Sequence, residues 1–183
     1  CHMLAAMLKN ANYRTGLYTS PHVLDINERI QINGVQISEG DFARVIGKVA
    51  PIVARNEKEN PTFFEILTAA AFLYFANEEV DYAVIETGLG GRLDCTNVIH
   101  PEVCGIVNIS IDHTAQLGGT VEQIAAEKAG IFKHNVPVIC APQTPSVSRV
   151  LRAAAEKVGA PIRFVGEELD FSYRFECSRE AGP

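Results

Sequence analysis

The chain has 183 residues, 47% of them apolar and 21% charged, which suits one ordinary globular domain with a substantial core and leaves two full domains cramped. Sixteen Lys and Arg against 22 Asp and Glu give a formal charge of −6 with no basic cluster, which argues against nucleic acid as a partner. No apolar run reaches the roughly 20 residues that span a bilayer, the start C-H-M-L-A-A-M-L-K-N lacks the marks of a signal peptide, and Cys1, Cys95, Cys104, Cys140 and Cys177 form no C-x-x-C pair; a reducing, cytoplasmic setting without membrane is expected.

Apolar spacing from Met3 to Leu8 predicts a helix closing near Asn10 to Asn12, and Arg14 to Thr19 reads as a short strand ending at Ser20-Pro21. A helix without a strand before it suggests that the chain opens in mid-unit. Ser38 to Arg55 has helical periodicity, with Phe42, Val45, Ile46 and Val49 on one face. Thr62-Phe63-Phe64-Glu65 fits a capping box and opens an apolar helix to about Asn77. Asp81 to Thr87 and Val103 to Ser110 are continuous apolar runs, expected as strands buried on both faces of a parallel sheet. Thr120-Val121-Glu122-Gln123 is a second capping box, before a helix to Ala129; Val136 to Ala141 is a third buried strand, Val147 to Val158 a helix and Ile162 to Val165 a fourth strand. Phe171 to Pro183 alternates aromatic residues and then stops, as if cut. The alternation of strand and helix predicts an α/β fold, a doubly wound, mostly parallel sheet flanked by helices.

In open parallel sheets ligands bind beyond the carboxyl ends of the strands. Ser20 and His22 follow the first strand, Glu86 ends the second, and Asp112 and His113 follow the third. Glu86 to Asn97, E-T-G-L-G-G-R-L-D-C-T-N, is the most informative segment: its glycines let backbone pass close to a ligand, and a carboxylate at a strand tip offers a hard oxygen to Mg²⁺. The same residues also read as a glycine-rich turn with a solvated Glu and Arg. His113 beside Asp112 suits a metal ligand or general base, or equally a loop histidine with a local partner. Lys128 shares a helix face with Ile124, which suits a partly buried lysine modified to carry a carboxylate; it also suits a cation favoured by the helix dipole. No G-x-x-x-x-G-K-[ST] phosphate loop is present.

Taken together, T-G-L-Y-T-S-P-H (15–22) with N-E-R-I (27–30), T-F-F-E (62–65), the 86–97 segment, I-D-H-T-x-x-L-G (111–118) and E-K-A-G-I (127–131) resemble folylpolyglutamate synthase and dihydrofolate synthase, within the Mur ligase superfamily. The resemblance covers residues 1 to about 166. It implies a Mur ligase-like ATP-binding central domain over 1–183, with the phosphate-loop strand and the C-terminal ligase domain outside it and no ligase activity in this piece alone. It also implies Mg²⁺, ATP as a substrate, and allowance for K⁺ or another monovalent cation. The reaction implied joins L-glutamate to a folate or dihydropteroate carboxylate through an acyl phosphate, by a monomer. By the same resemblance Ser20, Glu86 and His113 match magnesium ligands, and Lys128 the carbamylated lysine that supports the metal. Asn97 matches a nucleotide-binding position, and Thr62, Phe64, Asp94 and Cys95 match positions lining a pterin pocket. Cys95 stands where many relatives have Ala. An aromatic at 64 is apt, because a pterin is flat and stacks.

Three other readings compete. One is a Mur-type ligase acting on another acid, such as a peptidoglycan precursor or cyanophycin, against which the T-S-P-H loop and T-F-F-E helix speak. A non-catalytic domain on the same scaffold would need none of Ser20, Glu86, His113 and Lys128. A doubly wound kinase would require a Walker lysine.

Overall fold

In the computed structural model, which describes residues 1–170, helices and strands are interleaved rather than strictly alternating: the first strand is followed by a hairpin, and then by two helices in succession. The chain divides into two units, Cys1–Ile99 and His100–Pro183, each with its own sheet and its own core.

The first unit opens with α1 (His2–Asn10), β1 (Thr15–Tyr18), β2 (Ile30–Ile32) and β3 (Val35–Gln36), followed by α2 (Glu39–Arg55), α3 (Phe63–Asn77) and β4 (Tyr82–Ile85). Its four-stranded sheet has the order β3-β2-β1-β4. β1 runs parallel to β4, Thr15 opposite Tyr82 and Tyr18 opposite Ile85, and antiparallel to β2. The β2–β3 hairpin turns at Asn33 and Gly34, both at positive φ (51° and 78°), the conformation that makes Asn-Gly the preferred two-residue hairpin turn. Asn33 then reaches across, its side-chain oxygen accepting from Thr15 N–H at 2.9 Å. Ser38 caps α2 by accepting from Asp41 N–H, and Thr62 and Glu65 form the expected reciprocal box on α3. Both helices turn apolar faces into one core with the sheet, in which Tyr18, Ile30, Val45, Leu67, Ala70 and Ala71 are buried.

The second unit contains β5 (Cys104–Ile106), α4 (Thr114–Leu117), α5 (Val121–Lys128), β6 (Val138–Cys140), α6 (Pro145–Val158) and β7 (Ile162–Phe164). Its three strands are all parallel, in the order β5-β6-β7. α5 starts at the second expected capping box, with Thr120 accepting from Gln123 N–H. α6 ends on Gly159, whose φ of 71° and bonds back to Ala155 and Glu156 give an αL close. Ala125, Val138, Val147, Leu151, Ala155 and Phe164 fill the core between helices and sheet.

The α/β class therefore stands, with two refinements. The sheet of the first unit is mixed, because the hairpin adds antiparallel strands beside the parallel β1–β4 pair. The strands are also shorter than their apolar runs: 82–85 rather than 81–87, and 104–106 rather than 103–110. β6 comes nearer to burial on both faces, with Val138 and Cys140 fully buried on one face and Ile139 half-buried on the other, whereas β4 has Tyr82 and Ala83 exposed. The difference is one of neighbours: β6 lies between two strands, whereas β4 and β5 end their ladders. The expected C-terminal aromatic segment, Phe171 to Pro183, lies outside the described residues, as does Cys177; the other four cysteines are free thiols. Among the described residues no helix is long and apolar enough to cross a membrane.

Candidate active site

The parallel register of β1 and β4 brings two of the singled-out residues together. Glu86 N–H donates to Tyr18 C=O at 2.9 Å, extending the ladder one step past β4, so the carboxylate leaves from the strand tip. Its Oε2 accepts from Ser20 N–H at 2.9 Å. Ser20 precedes Pro21 through a cis peptide bond. A half-buried hydroxyl residue and a half-buried carboxylate thus share one strand-end corner. Hard oxygen donors of this kind are what Mg²⁺ takes from a protein when substrate phosphates and water complete its shell. Among the described residues no group of three or more His, Cys, Asp or Glu side chains could hold a metal ion, so the corner supplies a partial oxygen site.

The loop after Ser20 is organised by a second carboxylate. Glu28 accepts from the backbone N–H groups of Val23, Leu24 and Asp25 at 2.8, 3.0 and 2.9 Å. Those backbone donors hold its carboxyl below the usual range. Asp25 in turn caps the short 3₁₀ turn Ile26–Arg29, and Arg29 Nε donates to His22 Nδ1 at 2.9 Å. The Arg29 guanidinium also lies 5.6 Å from the centre of the Phe63 ring. His22 is thereby held by Arg29, within the same loop as Ser20.

The remaining candidates of the first unit surround the glycine-rich segment. Asp94 folds it: Oδ2 accepts from Leu89 N–H and Oδ1 from Thr96 N–H, each at 2.9 Å, with the Thr96 hydroxyl on the same Oδ1. Asp94 therefore caps the 3₁₀ turn Cys95–Val98 and spends both oxygens on the loop. Asn97 Nδ2 donates to Arg92 C=O at 3.1 Å. Cys95 Sγ donates to Thr68 Oγ1 at 3.3 Å, and burial pushes its thiol up. Thr62 uses its hydroxyl and N–H on Glu65 Oε2, at 2.8 and 2.7 Å, so its first role is the helix cap. Phe64 is half-buried and stacks on Tyr18, ring centres 5.8 Å apart and planes 25° from parallel. Burial pushes the Tyr18 phenol up to about 12, so it stays protonated.

His113 and Lys128 belong to the second unit. His113 sits at φ 50°, ψ 39°, an uncommon conformation for a residue with a side chain, and it opens the single turn α4. Its N–H donates to Asp112 Oδ1 at 2.8 Å, and its ring Nε2 lies 3.6 Å from Asp112 Oδ2. The local aspartate partner is thus present, and the ring is exposed enough to meet a ligand. Lys128 ends α5, half-buried, one turn after the fully buried Ile124, where the helix dipole favours a cation.

Two features were not reached from sequence. The Asn33-Gly34 turn between I-Q-I and V-Q-I carries a readable hairpin signal. The bond between Tyr18 Oη and Thr68 Oγ1, 3.0 Å long, joins residues 50 apart and leaves no local trace.

Comparison with known proteins matches these observations. The Mur ligase middle domain model covers residues 1–175. The chain is 43% identical over 164 residues to the dihydrofolate synthase/folylpolyglutamate synthase of Bacillus subtilis (strain 168), covering 87% of this chain and 38% of that protein. The folylpolyglutamate synthase structure from Thermotoga maritima superposes with a TM-score of 0.84 at 39% identity, over 90% of this chain and 38% of that one. An FPGS–AMPPCP–folate complex gives 0.85 at 34% identity, over 90% and 41%. The chain thus spans about two fifths of the length of the relatives it matches. With its parallel β1–β4 corner, its glycine-rich 86–97 loop and a family match over nearly its whole length, the chain belongs to the Mur ligase family, as a middle domain.

Proposed function

We propose that this chain is the ATP-binding central part of a cytoplasmic, monomeric ligase that joins L-glutamate to the carboxylate of a folate or of dihydropteroate. The observation that carries the reading is the Ser20–Glu86 corner at the ends of β1 and β4, two residues from the loop that packs on Phe64. The family match, and the folate and ATP analogue held by a similar structure, support it.

In this reading Ser20 and Glu86 would offer oxygens to Mg²⁺, and the family resemblance adds His113 as a further ligand and Lys128, as its carbamate, as a source of negative charge for the metal. Bound there, the metal would neutralise the charge that gathers on a transferring γ-phosphoryl group. The protein's residues do the rest. The backbone N–H of Ser20 fixes the Glu86 carboxylate, so its direction is set before ligand arrives. Phe64 offers a flat apolar face for a pterin, with Cys95 on the adjoining turn and Thr62 and Asp94 shaping the helix start and loop around it. Asn97, at the end of that loop, is the residue this reading assigns to the nucleotide. The substrate carboxylate oxygen attacks the γ-phosphorus, the bond to the β,γ-bridging oxygen breaks, and ADP leaves. The glutamate amine then attacks the acyl carbon, inorganic phosphate departs and an amide remains. Any K⁺ or other monovalent cation would act beside this set.

Glutamate ligation by a full-length protein carrying this chain, with Mg-ATP and either dihydropteroate or tetrahydrofolate, tests the proposal. Product from a pterin, reduced at least about a hundredfold by His113→Ala, is expected. No product from either pterin would sink the folate assignment.

A further inference from the structure

Phe64 is the second residue of α3, and three residues outside the proposed ligand set determine where its ring lies. On one face Tyr18, itself fully buried, stacks 5.8 Å away. At the ring edge is Gly88: a Cβ there would stand 2.4 Å from Phe64 Cε1 and 2.5 Å from Cζ. Gly88 is absent from the residues at positive φ, so an alanine suits its backbone; its methyl meets the ring first and, at 3.1 Å, Asp94 Oδ2. One helical turn after Phe64, on the same side of α3, is Thr68, which is buried. Its Oγ1 lies 3.0 Å from Tyr18 Oη and accepts from Cys95 Sγ at 3.3 Å, so one side chain of α3 joins β1 to the loop after β4. Buried polar groups are costly unless paired, and this set is satisfied: among the described residues no buried side-chain N or O atom lacks a partner.

We propose that Tyr18, Thr68 and Gly88 are positioning residues that fix the tilt of the Phe64 ring and the place of Cys95, and so decide which flat bicyclic rings the pocket accepts. The proposal rests on the ligase reading, in which Phe64 is the ring platform. Gly88 supplies the missing methyl, Tyr18 the backing plane, and Thr68 the tie that keeps platform and wall in register.

The test uses a full-length protein carrying this chain, with KM and kcat for the pterin and for ATP, equilibrium binding of the pterin, and thermal unfolding. Gly88→Ala raises pterin KM and weakens pterin binding by about tenfold or more, with ATP KM held, because a one-methyl misfit in a pocket is worth that much. In a Phe64→Leu background the clash with the ring edge is gone and most of the Gly88→Ala penalty disappears, the non-additivity expected of residues in contact, while the looser contact with Asp94 stays. Thr68→Val raises pterin KM severalfold, and Thr68→Ser, which keeps the hydroxyl, restores it. If Gly88→Ala does not fold, the Phe64→Leu, Gly88→Ala double variant still folds and binds nearly as Phe64→Leu does. A wild type that binds pterin as well as its Gly88→Ala variant does, or a penalty unchanged in the Phe64→Leu background, overturns this inference alone. A wild type that neither binds nor uses a pterin overturns the ligase reading, and this inference with it.

Discussion

The two units follow the same parallel α/β grammar but make their candidate sites in opposite ways. In the first, local bonds fold each loop, but the contacts that join one element to another at the site are remote in sequence: Ser20 to Glu86 spans 66 residues, Tyr18 to Thr68 50, and Cys95 to Thr68 27. In the second, His113 is oriented by its immediate neighbour Asp112, and Lys128 by its place at a helix end. The long-range polar contacts of the second unit hold the chain just past β5 and β6, where Asn108 Nδ2 donates to Pro142 C=O at 3.0 Å and Gln143 Nε2 to Val107 C=O at 2.9 Å, and tie α6 to the segment after β7, where Arg152 reaches Glu167 and Glu168 at 2.7 Å and covers the Phe164 ring at 4.4 Å. The candidates of the first unit are thus tied to the integrity of its core, and those of the second to local backbone. A change deep in the first unit should disturb ligand geometry, whereas one deep in the second should cost stability first.

The strongest way to break that contrast is to weaken one core at a time. Leu67 and Leu151, both fully buried, each anchor one cluster. Leu67→Ala and Leu151→Ala should each cost about 2–5 kcal/mol. Hydrogen exchange should then show lost protection in β1 and β4 for the first variant, and in β5, β6 and β7 for the second. Equal loss in both sheets from either variant would mean one core rather than two.

A smaller effect separates cap from pocket. Thr62→Ala and Thr120→Ala each remove one capping box, at about 1 kcal/mol apiece by thermal or denaturant unfolding. Only Thr62→Ala should also raise pterin KM in a full-length protein; equal effects on KM would detach Thr62 from the pocket.

The smallest effect is a titration. Glu28 has its folded pKa lowered by three backbone donors, so its contribution is complete above its ordinary value of 4.5 and is lost as pH falls through the lower folded value. Glu168 behaves likewise in the second unit, through Phe164 N–H first and Arg152 second. Amides of Val23 to Asp25 and of Phe164 should therefore lose exchange protection together as the pH falls below 4.5, while those of β1 and β6 keep theirs. Glu28→Gln should loosen the first group at neutral pH and leave Phe164 untouched.

These contrasts also explain what could be read from the sequence. Both capping boxes were legible because Thr62 with Glu65, and Thr120 with Gln123, need only three residues of spacing. The residues at the strand ends were legible because polar side chains interrupt apolar runs there. Strand limits were not, since an apolar run does not say how many neighbours a strand will have, and β4 has β1 alone where β6 has two. The left-handed backbone of His113 left no signal, because the residue type does not demand it. The Tyr18–Thr68–Cys95 tie was invisible for a different reason: each member is an ordinary residue of its own element, and only the parallel register brings them together.

That register has a consequence for biosynthesis. β1 and β4 pair across more than sixty residues, and a ribosome adds about 5–20 residues per second, so β1 leaves the exit tunnel several seconds before its partner. In that interval the nascent hairpin can cover one edge of β1, while the edge destined for β4 stays unpaired on a strand whose residues are all buried in the end. Ser20 waits equally long for its carboxylate. Half of the corner is made early and bare, and the translating cell has to shield it until Glu86 arrives.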